Sequence, residues 1–166
     1  MKTAVVYYSL DGNCAFVAEQ IKAGLNADLV QLYMQDAKKR RGFMKILWGG
    51  GMVLSRKKPP LKPYTFDPAA YDLIIIGAPV WAGSPAPPIQ TFLSETDISG
   101  KKIALFVCHG GGKGKALNIF KALLSGNEII AETDFVNARK NNAEVKRQIS
   151  DWVKGIGGNI EGRRSL

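Results

Sequence analysis

Short apolar runs alternate along this chain with stretches in which apolar residues recur at helical spacing. TAVVYY (residues 3–8), ADLVQLY (27–33), DLIIIGA (72–78) and KIALFVC (102–108) are rich in Val, Ile, Leu and aromatic residues and have the length of strands. The third is almost continuously apolar, as expected of a strand buried on both faces. Between the runs, Phe16, Val17, Ile21 and Leu25 predict one helix, and Leu117, Phe120, Leu123 and Leu124 a second. Val145, Ile149, Trp152 and Val153 mark a last helix, and NEIIAETDFVNA (127–138) holds a fifth strand. Alternating strands and helices predict a doubly wound, three-layer α/β/α domain around a parallel sheet.

In such a sheet the ligand sits beyond the C-terminal ends of the strands. Three of these ends stand out: SLDGNC (9–14), APVWAGSPAPP (78–88) and CHGGGKG (108–114). All are rich in Gly, Pro or small residues and fall on one rim. In the first, Gly12 permits a tight turn, and the free N–H groups of the following helix, with Ser9, Asn13 and Cys14, suit a phosphate. The alternative is an ordinary strand-to-helix turn with an Asn or Asp cap. Neither a GxGxxG fingerprint nor a GK[ST] P-loop is present.

The formal net charge is +9, and all of the excess lies between Asp36 and Asp67, which enclose Lys38, Lys39, Arg40, Arg41, Lys45, Arg56, Lys57, Lys58 and Lys62 and no acid. This segment also holds Phe43, Ile46, Leu47 and Leu54, which suit a second crossover helix facing the sheet, interrupted by Gly49 to Gly51. Its cations would then lie on the surface, for an acidic partner or, less fittingly, nucleic acid or an anionic membrane. No apolar run reaches membrane-spanning length and no signal peptide is evident, so a soluble cytoplasmic protein is expected. No histidine or carboxylate cluster suggests a metal. Residues 1–157 read as one domain. Residues 158–166 read as a tail in which IEGR (160–163) is either native or an appended protease-recognition linker.

YYSLDGNC resembles the phosphate loop of the flavodoxins, commonly Thr/Ser-x-Thr/Ser-Gly-Asn-Thr. IIIGAPVWAGSPAPPIQTFL resembles that family's second flavin loop, and LFVCHGGGKGKAL falls where the family has its third. The likeness runs over residues 1 to about 155. It implies a flavodoxin-like fold with a five-stranded sheet of order 2-1-3-4-5 and non-covalently bound FMN; flavodoxins are a known example of this arrangement. By position, Ser9, Asp11, Gly12, Asn13 and Cys14 would surround the FMN phosphate. Pro79, Val80, Trp81, Ala82 and Gly83 would run beside the ribityl chain and isoalloxazine, with Trp81 as stacking partner. Cys108, His109, Gly110, Gly111 and Gly112 would close the opposite side.

Two positions depart from the pattern. Asp11 replaces a hydroxyl residue and must turn to solvent or to its own backbone, since a carboxylate repels a phosphate. Cys14 replaces the last hydroxyl with a weaker donor; a helix N-terminus also acts to lower its pKa, which opens a redox role. A Cys14–Cys108 disulfide is not expected, because the first and fourth strands lie two steps apart in that order, about 9–10 Å. His109, the only histidine, reads as an exposed loop residue, although beside a flavin it could donate a hydrogen bond or a proton. The resemblance implies an electron carrier, and the basic segment adds the expectation that an acidic redox partner docks near Lys38, Lys39, Arg40 and Arg41. The alternative is an NAD(P)H-dependent FMN oxidoreductase acting on a quinone-type acceptor.

Overall fold

The computed structural model describes residues 1–35, 50–54 and 58–162, apart from the side chains of 159–162. Its strands are β1 (Thr3–Tyr8), β2 (Asp28–Leu32), β3 (Leu73–Trp81), β4 (Ser84–Pro85), β5 (Lys102–His109) and β6 (Glu128–Val136). Its helices are α1 (Asn13–Leu25), α2 (Pro87–Glu95), α3 (Ala116–Leu123) and α4 (Asn142–Gly162). The sheet order is β2-β1-β3-β5-β6, all parallel, and the short β4 folds back antiparallel on the end of β3. With β4 set aside this is the expected 2-1-3-4-5.

The three central strands β1, β3 and β5 are buried on both faces over most of their length, which explains their continuous apolar character. Their side chains alternate between two cores. Val5, Tyr7, Ile75 and Phe106 pack against Val17 and Ile21 of α1 and Val145, Ile149 and Val153 of α4. Val6, Tyr8, Ile76 and Leu105 pack on the other side, with Ile89 and Phe92 of α2 and Leu117 and Phe120 of α3. Gly77 makes the first core possible. A Cβ there would lie 2.0 Å from the Phe106 ring on the neighbouring strand, so the ring occupies the space that a side chain would need.

Two expectations change. Helix α2 lies where the sequence reads as a Pro-rich loop. Pro87 serves as its first residue, where a missing N–H is harmless, and Ile89, Phe92 and Leu93 follow at helical spacing. The second crossover helix is altered too. Residues 50–54 are helical, so Gly50 and Gly51 lie within the helix rather than interrupting it, and Leu54 is 83% exposed rather than facing the sheet. Phe43, Ile46 and Leu47 lie outside the described residues. The chain returns in extended form: Leu61 bridges Met34, the Gln35 N–H donates to the Pro60 carbonyl, and Tyr64 and Phe66 pack on Phe92. Gln35 and Pro60, which flank most of the basic segment, thus lie side by side at the C-terminal end of β2.

Candidate functional site

The first rim loop connects β1 to α1. Gly12 caps the helix with φ 83°, a left-handed conformation suited to glycine, and its carbonyl accepts from the Phe16 N–H. The Ser9 Oγ accepts from the Ala15 N–H at 3.2 Å, which leaves the hydroxyl proton free to donate. The N–H groups of Asn13 and Cys14 have no acceptor among the described residues, and the first turn of α1 carries no acid. These are the donors an anion requires at a helix start. Asp11 is an exposed residue of this loop. Burial, and then the Asp11 carboxylate, push the Tyr8 phenol far above its usual pKa.

The second loop is tighter than the sequence implies. β3 runs on to Trp81 and turns back through Ala82 (φ 46°) and Gly83 (φ 74°), placing Val80 opposite Pro85. Two residues at positive φ make a type I′ hairpin, which suits glycine at the second position better than alanine at the first. The Trp81 ring meets the Tyr8 ring edge to face, with centroids 5.8 Å apart. The third loop is fixed to the second. A Cβ on Gly114 would lie 2.6 Å from the Gly83 Cα, and the Lys115 N–H donates to the Gly83 carbonyl at 3.0 Å.

His109 is not the exposed residue expected. Its side chain is 8% exposed, and its Nε2 lies 3.0 Å from Asp134 Oδ2 on β6, whose other oxygen accepts from Lys113 Nζ at 2.6 Å. The sequence reading failed because the partner carboxylate is 25 residues away and meets His109 only through the β5–β6 pairing. Burial opposes the Asp134 charge, but the hydrogen bonds from Lys113 and His109 and their charges outweigh it, so the carboxyl pKa falls below the ordinary value. The His109 Nδ1 is buried without a partner among the described residues.

Cys14 and Cys108 are both buried and both free. The distance argument against their meeting does not hold, because Cys14 belongs to α1, which crosses the sheet, and its thiol interacts with Cys108. The expected lowering of its pKa is also reversed. Burial, reinforced by the neighbouring Cys108 thiol, pushes the Cys14 pKa well above the ordinary thiol value, which disfavours the thiolate.

A fourth wall was missed by sequence reasoning: the turn between β6 and α4. The Asn137 N–H donates to the His109 carbonyl at 2.9 Å, the Arg139 N–H donates to Asn13 Oδ1 at 3.0 Å, and Arg139 Nη1 donates to the Asp11 carbonyl at 3.0 Å. The available signal was the polar run NARKNN after the fifth strand, at the same rim as the other loops.

These loops enclose a cavity of about 390 Å³. The anticipated residues Ser9, Asp11, Asn13, Cys14, Pro79, Val80, Trp81, Ala82, Cys108, His109 and Gly110 line it, joined by Leu10, Gly50 and Asn137. Gly12 and Gly83 shape the loops without lining the cavity, and Gly111 and Gly112 lie outside its lining. Polar donors gather at the start of α1 and apolar surface at Val80 and Trp81. That division suits a molecule with a phosphate at one end and a flat ring at the other.

The flavodoxin family model matches residues 2–156, and the chain belongs to that family. FMN is its cofactor, in keeping with a flavoprotein from Lactobacillus acidophilus in complex with FMN. That structure is 25% identical and superposes with a TM-score of 0.71 over 86% of this chain and 97% of that one. Oxidised flavodoxin 2 from Bacillus cereus (20% identical, TM-score 0.60, 95% and 99% covered) shares the fold. So does two-electron reduced flavodoxin from Megasphaera elsdenii (21%, 0.57, 92% and 98%). No curated protein sequence matches the chain. Among the described residues no helix is long and apolar enough to cross a membrane.

Proposed function

We propose that this protein is an electron carrier. The observation that supports it best is the cavity of about 390 Å³ at the β1/β3 rim, polar at one end and apolar at the other, in a chain whose family match takes up residues 2–156. Bound FMN supplies the redox chemistry, and the chain supplies position, burial and charge. Ser9 and the N–H groups of Asn13 and Cys14 would hold the phosphate, Val80 and Trp81 would face the ring system, and the buried dithiol floor would exclude water. Ala82 and Gly110, both exposed on the cavity rim, leave an edge that a partner protein can reach.

An acidic redox partner fits this reading. Gln35 and Pro60, which flank most of the basic segment, are paired beside the end of β2, on the rim that carries the cavity, and Gly50 lines the cavity itself. Lys38, Lys39, Arg40 and Arg41, outside the described residues, belong to that segment. Cations near this rim would steer an acidic surface toward the flavin edge, an effect screened over about 8–10 Å near physiological ionic strength.

A second reading, an NAD(P)H-dependent FMN oxidoreductase, is favoured by one observation: His109, held by Asp134, could hand a proton to a reduced acceptor. The two are separated by anaerobic addition of NADH or NADPH to the FMN-loaded protein. The carrier reading expects no rapid bleaching of the flavin by nicotinamide, but fast exchange with an acidic redox protein. That exchange should slow with salt and when Lys38, Lys39, Arg40 and Arg41 are changed to Gln. Bleaching at a catalytic rate, with turnover of a quinone, would replace it with the reductase.

A further inference from the structure

Arg139 lies against the back of the first loop. Its backbone N–H holds Asn13 Oδ1, and its Nη1 holds the Asp11 carbonyl. The side chain covers Gly12, where a Cβ would stand 3.2 Å from both Arg139 Cδ and Nη1. The turn that presents it is itself fixed: Asn137 accepts from the N–H groups of Lys140 and Asn141, and the Asn141 Nδ2 donates to the Val136 carbonyl. Arg139 is exposed and forms no ion pair among the described residues.

This arrangement has two chemical consequences for an anion on the loop. Since Asn13 Oδ1 accepts from the Arg139 N–H, the Asn13 side-chain NH2 group is the part left to donate to a ligand in the cavity that Asn13 lines. The guanidinium also adds a full positive charge to a loop that otherwise has N–H dipoles and the Asp11 carboxylate. Only one of its five N–H donors is used by Asp11.

We propose that Arg139 is the counter-charge of the phosphate site and orients Asn13 within it, so that it sets the preference for a phosphorylated flavin over riboflavin. The inference rests on the FMN site but asks a separate question, namely how much of the affinity depends on this cation. The aromatic wall of Val80 and Trp81 is common to both ligands, whereas the first loop serves only the phosphorylated one.

The test measures FMN and riboflavin affinities of apoprotein by flavin fluorescence across a salt series, for wild type, Arg139→Met and Arg139→Lys. Arg139→Met should weaken FMN about three- to tenfold at low salt, as for a solvent-exposed charge partner, and leave riboflavin within about twofold. The loss should shrink as salt rises, and Arg139→Lys should restore most of the FMN preference. Equal weakening of both flavins, no weakening of either, or a Lys variant no better than Met would overturn the proposal and leave Arg139 as a loop staple. Wild-type protein that bound neither flavin would overturn the flavin reading itself, and this inference with it.

Discussion

The contact between Gly114 and Gly83 joins the second and third loops by backbone alone, and replacing either glycine with alanine measures it. Both residues have positive φ, 52° and 74°, where an alanine is strained by about 1–2 kcal/mol. Their surroundings differ. At Gly83 an added Cβ would meet the Gly114 Cα at an ordinary 3.8 Å, so Gly83→Ala should show only the conformational term. At Gly114 the Cβ would fall 2.6 Å from the Gly83 Cα and 3.2 Å from its carbonyl oxygen. No side chain there can swing aside, so the loops must separate and the Lys115 N–H bond must stretch. Overpacking of this kind adds about 1–3 kcal/mol. Urea denaturation of the two apoproteins should therefore place Gly114→Ala below Gly83→Ala by roughly that amount, which in a domain of this size is about 2–4 °C of Tm per kcal/mol. Gly114→Ala should also bind FMN more weakly than Gly83→Ala, because both displaced loops line its cavity. Equal stabilities within about 0.5 kcal/mol would refute the reasoning, by showing that the loops slide apart freely.

Trp81→Ala should remove an edge-to-face pair with Tyr8 worth about 0.5–1.5 kcal/mol, seen as a lower urea midpoint of the apoprotein, and should also weaken FMN binding. Ala82→Asn should raise the melting temperature, by replacing a strained first residue of a type I′ turn with the favoured Asn-Gly pair; a gain of about 0.5–1 kcal/mol is expected. Asp134→Asn should lower stability near neutral pH. Because the native carboxyl pKa is depressed, the wild-type advantage is present above the unfolded-state value and is lost as pH falls through the native one. The two stability curves should therefore converge below about pH 4.

The parts of the fold that could be read from the sequence were those governed by local periodicity. β1, β3 and β5 announce themselves because burial on both faces leaves little room for polar residues. Helix α2 was obscured because Pro87 and Pro88 read as breakers, although a proline in the first turn of a helix gives up only an N–H that lacks a partner there. At the site, the three loops could be read from their small residues and shared rim. The His109–Asp134 pair, the contact of Cys14 with Cys108 and the reach of Arg139 to the first loop could not. Each joins residues distant in sequence through strand pairing or helix crossing, and local composition carries no trace of such a meeting.

The buried thiols of Cys14 and Cys108 have a practical consequence. Both are almost wholly buried, at 1% and 3% exposed, and they are the only cysteines in the chain, so an alkylating reagent that enters the cavity they line gains ready access only when local opening uncovers the thiols. The native protein thus carries its own opening clock. Labelling rates counted by intact mass, with and without FMN, would time excursions of the first helix away from the sheet in a chain that needs no engineered probe.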